Sequence, residues 1–462
     1  MSQFKKDPSS FRDPSGFIFY DGDTLLRQVN TSYKENYDHL MTSGLYEKLS
    51  QSDLLIPHEE IDFDSNDESA YLIIKPKKIP FISYPYEWSF NQLKSAALHT
   101  IQIQKIAMEY DMSLKDCSAY NIQFIDSNPI FIDTLSFEKY ENGQFWKAYG
   151  QFCQHFIAPL SLMAHKDIRL GQMSKLFIDG IPLDLTSSLL PMKTNSMFSL
   201  LTHIHAHAKS QKKYGDKKID VKKRTMSKTS FLGLVNSAES AVQKLSWSSS
   251  DTEWARYYSD TNYSEEGFEQ KKNVLSVWLD EIKPSSIWDL GSNTGLFSRV
   301  ASSKNIPTIS FDIDPAAVDQ NYLICQKNNE KNIIPLILDL TNPSSNIGWN
   351  NNERQSFVDR GPVDLIMALA LIHHLAISNN LPLSNIASFF AKLCNYLIIE
   401  FVPKTDSQVS RLLVSREDIF DDYTADSFER EFTRFFKITK KIDLDDSQRS
   451  LYCFENLSKN SN

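Results

Sequence analysis

Residues 287–295 read Ile287-Trp288-Asp289-Leu290-Gly291-Ser292-Asn293-Thr294-Gly295, and this stretch decides the fold. An apolar run carries Asp289, a turn with two glycines follows, and an amphipathic helix is expected over Leu296 to Ser303. Strand, glycine turn and helix start in succession make a corner of the kind that binds nucleotides. Gly291 lets the backbone turn with no Cβ in the way. Gly295 is expected to let the helix start lie close to a ligand. Asn293, between them, tolerates positive φ better than most residues. The spacing D-x-G-x-x-x-G is neither G-x-G-x-x-G nor G-x-x-x-x-G-K-[ST]. The turn holds no lysine for phosphates, which points to a nucleoside ligand without a phosphate chain.

Four further apolar runs follow. Thr308 to Phe311 ends in Asp312-Ile313-Asp314-Pro315, and Pro315 opens a helix at a favoured first-turn position. Asp314 reads as the cap of that helix. Ile333 to Leu338 ends in Asp339, Val363 to Ala370 runs into Leu371-Ile372-His373-His374, and Tyr396 to Val402 contains Glu400. Helical patterns at Ala316–Lys327, Ser384–Leu393 and Ala425–Phe436 separate these runs from each other and from Phe436–Thr439 and Ser450–Phe454, a closing antiparallel hairpin. Alternating strands and helices predict an α/β fold with a doubly wound sheet. Acidic residues end strands one, two and three on one edge, where such sheets bind ligands.

On these residues the C-terminal half, Trp254 to Phe454, resembles the class I S-adenosylmethionine-dependent methyltransferases. The resemblance implies a seven-stranded Rossmann-like sheet and S-adenosyl-L-methionine as cofactor. Asp289, Gly291, Asn293 and Gly295 would cradle its methionine part, Asp312 its ribose and Asp339 its adenine. Asn293 departs from the glycine that many members carry there. His373 and His374, after strand four, are candidate bases, with His374 preferred, because histidine near neutral pH can take an acceptor proton. Glu400 is the alternative base or substrate contact. Aromatic residues before strand one, Tyr258 and Tyr263, are candidates to close over the cofactor or to pack. No [DNS]-P-P-[YFW] follows strand four, which argues against methylation of amino groups on nucleic acid.

The chain has 462 residues, 41% of them hydrophobic, and a net charge of −9. That length predicts more than one domain: residues 1–200, a basic linker 201–235, and a methyltransferase domain 236–462. The tract Lys209–Lys228 carries nine Lys or Arg against two Asp and few apolar residues, and reads as a solvated linker. With an acidic chain outside it, a nucleic-acid partner is not expected. No apolar run is long enough to span a bilayer. The start, Met1-Ser2-Gln3-Phe4-Lys5-Lys6, has no apolar core of a secretory signal. Five scattered cysteines form no C-x-x-C pair, so neither zinc nor a disulfide framework is expected and a cytoplasmic location is. His203, His205 and His207 lack nearby acidic or cysteine partners in sequence and read as surface residues, with no metal expected.

The N-terminal half reads as α+β. A hairpin is expected at Phe17–Tyr20 and Leu25–Val29, a helix at Tyr33–Leu49, strands at Tyr71–Ile74 and Phe81–Tyr84, and a long helix at Phe90–Tyr110. Asp116, Asn121 and the strand-ending Asp133 have the D-x-x-x-x-N…D spacing of catalytic and metal-binding loops, and here the half resembles protein kinases and aminoglycoside-type kinases. Thr134-Leu135 stands where Phe-Gly follows the last Asp in that family, and no Gly-rich loop is found. Two-part chains of this kind are similar to bacterial proteins of nodulation and surface-glycan clusters, which implies a small-molecule or glycan acceptor. Three functions follow: a methyltransferase with an acceptor-binding or kinase-like module, a non-catalytic binding protein with a methyltransferase-like fold, and a bifunctional kinase–methyltransferase.

Overall fold

A computed structural model describes residues 4–63, 65–209, 225–248, 265–414, 417–445 and 447–458. Most of the basic tract and the aromatic positions Trp254, Tyr257, Tyr258 and Tyr263 lie outside the described residues. The chain divides into two units, Met1–Ser248 with Asn346–Arg354, and Ser249–Ser345 with Gln355–Asn462. The helix Lys228–Lys244, at the expected linker boundary, packs on the helix Phe90–Glu109 of the first unit.

In the first unit, strands β1 (Lys5–Lys6), β2 (Gly16–Asp21), β3 (Thr24–Asn30), β4 (His58–Ile61) and β5 (Ala70–Pro76) form an antiparallel sheet in the order β1-β2-β3-β5-β4. The β2–β3 hairpin turns on Gly22 at φ +56°, which suits a two-residue loop. The expected helix Tyr33–Leu49 breaks into Lys34–Thr42 and Leu45–Gln51 because Gly44 sits between them at φ +87°. Phe81–Tyr84 is not a strand. Pro80 and Pro85 bracket it, and the Ser83 amide donates to the Gln123 side chain instead of a ladder. The helix Phe90–Glu109 starts where Ser89 and Gln92 exchange capping hydrogen bonds. Two short pairs follow: β6 (Met112–Leu114) with β9 (Phe137–Lys139), and the hairpin β7 (Ile122–Ile125) with β8 (Asn128–Phe131). The segment Asn346–Arg354 belongs here too. Its Glu353 is buried and takes both arms of Arg12 at 2.9 and 2.7 Å.

The second unit holds a seven-stranded mixed sheet: β10 (Ile287–Leu290), β11 (Thr308–Asp312), β12 (Ile333–Ile337), β13 (Val363–Ala368), β14 (Cys394–Phe401), β15 (Phe436–Asp443) and β16 (Ser450–Asn456). Their order is β12-β11-β10-β13-β14-β16-β15, with the first five parallel and the last hairpin antiparallel. Every residue of β10 and β11 is buried, as central parallel strands require. The edge strand β15 alternates instead, Lys437 and Lys441 facing solvent. Beneath the sheet, Leu275, Trp278 and Leu279 of the helix Glu265–Ile282 pack on Ile287, Leu365 and Ile398. Two expected helices are shorter than their patterns. Ala425–Phe432 stops before β15, and the helix after the glycine turn spans only Ser298–Ser302. Among the described residues no helix is long and apolar enough to cross a membrane.

Of the three histidines, His207 is half-buried and stacks on Tyr149, and the other two are not surface residues. His203 and His205 are buried on a π-helical turn, Leu201–Ala206, and each spends both ring nitrogens on hydroxyls. His203 meets Tyr149 at 2.8 Å and Ser237 at 3.0 Å; His205 meets Ser187 at 2.7 Å and Thr194 at 2.9 Å. They are core residues satisfied by neighbours that sequence spacing does not reveal. His203→Ala should therefore destabilise the first unit by roughly 1–3 kcal/mol, while a chelator leaves the wild-type melting temperature unchanged. A chelator-induced drop would contradict this structural role.

Candidate active site

The glycine turn leaves β10 at Leu290 and holds three residues at positive φ: Gly291 (+75°), Asn293 (+50°) and Gly295 (+78°). The amides of Gly291 and Ser292 both donate to the Phe311 carbonyl at 2.9 Å, which locks the turn onto β11. A Cβ on Gly295 would lie 2.4 Å from the Asn321 side chain. This glycine is needed for close packing on the following helix, not only for approach to a ligand. Asn321 in turn donates to Ser310 at 2.9 Å, and Ser310 lies 2.9 Å from Ser298 and 2.8 Å from Ser292. A ladder of hydroxyls thus runs under the turn and ends on Asp289, whose carboxylate accepts from Ser298 at 2.5 Å.

Three acidic residues stand at or just beyond the carboxyl ends of the neighbouring strands β10, β11 and β12. Asp289 is fully enclosed, and burial pushes its carboxyl up to about 7 against the pull of Ser298 and Lys271. Asp312 accepts the Asn293 amide at 2.7 Å and the Asp314 amide at 2.9 Å; burial outweighs both and pushes it up to about 6. Asp314 caps the helix Pro315–Asn328 through Ala316 at 2.9 Å, as its position predicts. Its other carboxylate oxygen is buried with no hydrogen-bond partner among the described residues. Asp339 is half-buried and folds back on Thr341.

Beyond β13, the rings of His373 and His374 are tilted 40° to each other with centres 4.1 Å apart. His373 is 1% exposed, and neither ring nitrogen has a hydrogen-bond partner among the described residues. Burial holds it well below the ordinary imidazole range and pulls His374 down to about 4, with Arg449 adding to both shifts. Both are neutral near pH 7. Glu400 is differently placed from the free base expected of it. It is fully buried, with one oxygen on Lys271 at 2.5 Å and the other 3.4 Å from Arg449. Arg449 also grips Asp406 at 2.8 and 3.1 Å. Sequence reading missed Lys271 and Arg449. One sits in an amphipathic helix and the other in a loop before β16, where cations ordinarily face water, and no local pattern marks them as buried.

In the first unit, Asp116, Asn121 and Asp133 come together. Asn121 and Gln151 hydrogen-bond Asp116, whose carboxyl is raised by burial and by the charge of Asp133. Asp133 accepts from Ser136 at 2.5 Å and pairs with Arg27 of β3 at 2.5 Å. Burial opposes its ionisation, yet Arg27 and Ser136 keep it below the ordinary carboxylate range. Arg27 is a further residue that sequence spacing did not reveal.

Two tests follow from the corner. Gly295→Ala should cost more than about 2 kcal/mol, since it adds both backbone strain and a clash. Adding Asn321→Ala should then destabilise by less than the sum of the single changes, read from urea unfolding. The second test concerns pH. Carboxyls raised by burial favour the folded state below their unfolded values and lose that contribution as pH rises through the folded ones, about 6 for Asp312 and about 7 for Asp289. Asp289→Asn should therefore gain melting temperature relative to wild type at about pH 8 and not at about pH 5. An equal effect at both values would contradict the burial account.

A search against models of known protein families finds no match. Among solved structures, similar chains include the bifunctional kinase-methyltransferase WbdD, at 16% identity over 42% of this chain and 40% of that chain with a TM-score of 0.28. They also include magnesium protoporphyrin IX methyltransferase (ChlM) from Synechocystis PCC 6803 with bound SAM, at 17% identity over 44% of this chain and 89% of that chain with a TM-score of 0.30. Scores of this size carry no inference about activity. One curated protein is much nearer: Nodulation protein NoeA of Rhizobium meliloti (strain 1021) is 33% identical over 466 residues, which takes in 96% of this chain and 95% of that one. With that identity sustained along almost the whole length of both, the chain belongs to the NoeA family.

Proposed function

We propose that the second unit is a class I S-adenosylmethionine-dependent methyltransferase acting on a small-molecule or glycan acceptor. The observation that carries this reading is the corner itself. A glycine turn after the central strand has acidic residues on the ends of three adjacent strands, in a sheet of order β12-β11-β10-β13-β14-β16-β15. The donor chemistry fits the cofactor. Ribose hydroxyls are donors, and the corner offers carboxylate acceptors: the remaining lone pairs of Asp312 and the unbonded oxygen of Asp314. A cationic amino acid moiety suits the buried carboxylate of Asp289, and the turn has no cation of its own for phosphates.

When bound, S-adenosylmethionine supplies an activated methyl group for in-line displacement. In this reading, Gly291, Asn293 and Gly295 shape the backbone that receives the methionine part, Asp312 takes the ribose and Asp339 lies toward the adenine. His373 and His374 are neutral near pH 7 and able to accept a proton from an acceptor hydroxyl or amine. Glu400, tied to Lys271 and Arg449, supports the site instead of exchanging protons. The first unit would hold the acceptor. The Arg27–Asp133 pair favours such a binding module over magnesium-dependent phosphotransfer, because it occupies a carboxylate that the metal would need.

Calorimetric titration of the whole chain with S-adenosylmethionine and S-adenosylhomocysteine tests the reading. Micromolar binding by wild type, lost in Asp289→Ala and weakened in Asp312→Ala, is expected. Absence of binding by the folded wild type would sink it. Once an acceptor is found, a His373→Ala/His374→Ala variant should keep cofactor affinity and lose about 10²–10⁴-fold in turnover. Wild-type turnover would remove the pair from the mechanism, and binding with no turnover by any variant would favour a non-catalytic cofactor-binding protein.

A further inference from the structure

In the first unit, the stretch from Pro191 to Ile204 is apolar on both of its sides. Leu200 and Ile204 are buried and tie it to the core, while Met192, Met197, Phe198 and Leu201 stand in water, Met192 89% and Phe198 77% exposed. One exposed apolar side chain is ordinary, but four within ten residues make a patch. The Leu201 amide donates to the Met197 carbonyl at 2.8 Å, so the chain is helical there and Met197, Phe198 and Leu201, spaced three and four apart, share one side. Met192 stands on the tight turn Met192–Ser196, which packs against both short helical segments, Phe198–Leu200 and Leu201–Ala206. The display is ordered. Asn195 and Ser196 donate back to the Met192 and Lys193 carbonyls at 3.1 and 2.7 Å, and Thr194 meets the buried ring of His205 at 2.9 Å. These bonds hold the turn with its apolar side chains outward.

Charge along this stretch has one sign. From Leu185 to Lys209 there is no Asp or Glu, in a chain with 58 such residues among 462, and Lys193 and Lys209 are exposed. In sequence the stretch leads straight into the tract Lys209–Lys228, with nine Lys or Arg against two Asp. Exposed apolar side chains beside fixed positive charge match an anionic lipid surface, where headgroups attract the cations and Met, Phe and Leu enter the acyl boundary. Stable docking takes two signals of this kind, and both are present. A second copy of the chain would bring the same positive charge against itself, and nucleic acid has no apolar layer to take up Met192 and Leu201. We propose that the surface formed by Met192, Met197, Phe198 and Leu201 with Lys193 and Lys209 docks the protein on a membrane rich in anionic lipid, without spanning it. The proposal is independent of the cofactor reading above.

Co-sedimentation of the full-length chain with lipid vesicles tests it. Wild type should bind phosphatidylcholine vesicles containing about a third phosphatidylglycerol, and bind pure phosphatidylcholine at least roughly tenfold more weakly. Raising salt from about 0.05 M to about 0.5 M should weaken the binding, because the attraction is screened. Met192→Ser/Phe198→Ser removes apolar surface and no charge. It should weaken binding by roughly tenfold or more at an unchanged melting temperature. Val414→Ser, a change at an equally exposed apolar residue of the second unit, should leave binding intact. The emission of Phe198→Trp should be quenched by brominated acyl chains beyond the wild-type level, and this decides the matter alone if the double variant does not fold. Wild type that ignores anionic vesicles or binds both lipids equally would overturn the proposal. So would full binding by the double variant, which would leave the basic tract acting by itself. A dimer that ignores vesicles and is dissolved by the double variant, read by light scattering, would give the patch to a second copy and overturn it too.

Discussion

The carboxylate of Asp289, carried out of water at the end of the central strand, sets the conditions that its neighbours meet. Ionised and unmatched, it would be too costly to bury. The structure answers with a short hydrogen bond from Ser298, and the charge of Lys271 also favours the ionised form. Each answer imposes a further demand. Ser298 reaches Asp289 only because the turn at Gly291, Asn293 and Gly295 brings the next helix back over the strand, and the same hydroxyl ladder continues through Ser310 to Asn321. Lys271 needs its own counter-charge, which Glu400 provides, and Glu400 brings Arg449 and Asp406 with it.

Charge burial on this scale is poor economy for stability alone, since apolar replacement of buried ion pairs is often neutral or favourable. Its placement is what distinguishes it. The carboxylates gather where a mostly parallel sheet exposes the carboxyl ends of its strands, beside a turn whose backbone is already fixed in left-handed conformations. Strain and buried charge kept at one edge support the ligand site proposed above. The first unit handles its own acidic cluster differently, closing Asp133 with Arg27 inside the protein.

The strands of the second unit were legible because central parallel strands must be continuously apolar, and each of these runs is punctuated by an acidic residue, a proline or a histidine pair. Asn293 was legible as a left-handed residue, and Asp314 as a cap, because both effects are local. What stayed hidden was carried by distant partners. Lys271 and Arg449 look like surface cations until the sheet folds over them, His203 and His205 look exposed until Tyr149, Ser187, Thr194 and Ser237 surround them, and Arg27 gives no sign of Asp133 across more than a hundred residues. Gly295 was legible as a required glycine, but its contact with Asn321 was not. The length of the helix after the turn was overestimated because its apolar spacing begins at Leu296 and Phe297, before the backbone becomes helical at Ser298.

The most direct test is a crystal structure of the full-length chain grown with S-adenosylhomocysteine. The account predicts the ligand against the Gly291–Gly295 turn, its ribose hydroxyls on the strand-two carboxylates and its amino group beside Asp289. A ligand bound elsewhere, or a saturated crystal with none in this corner, would contradict the account.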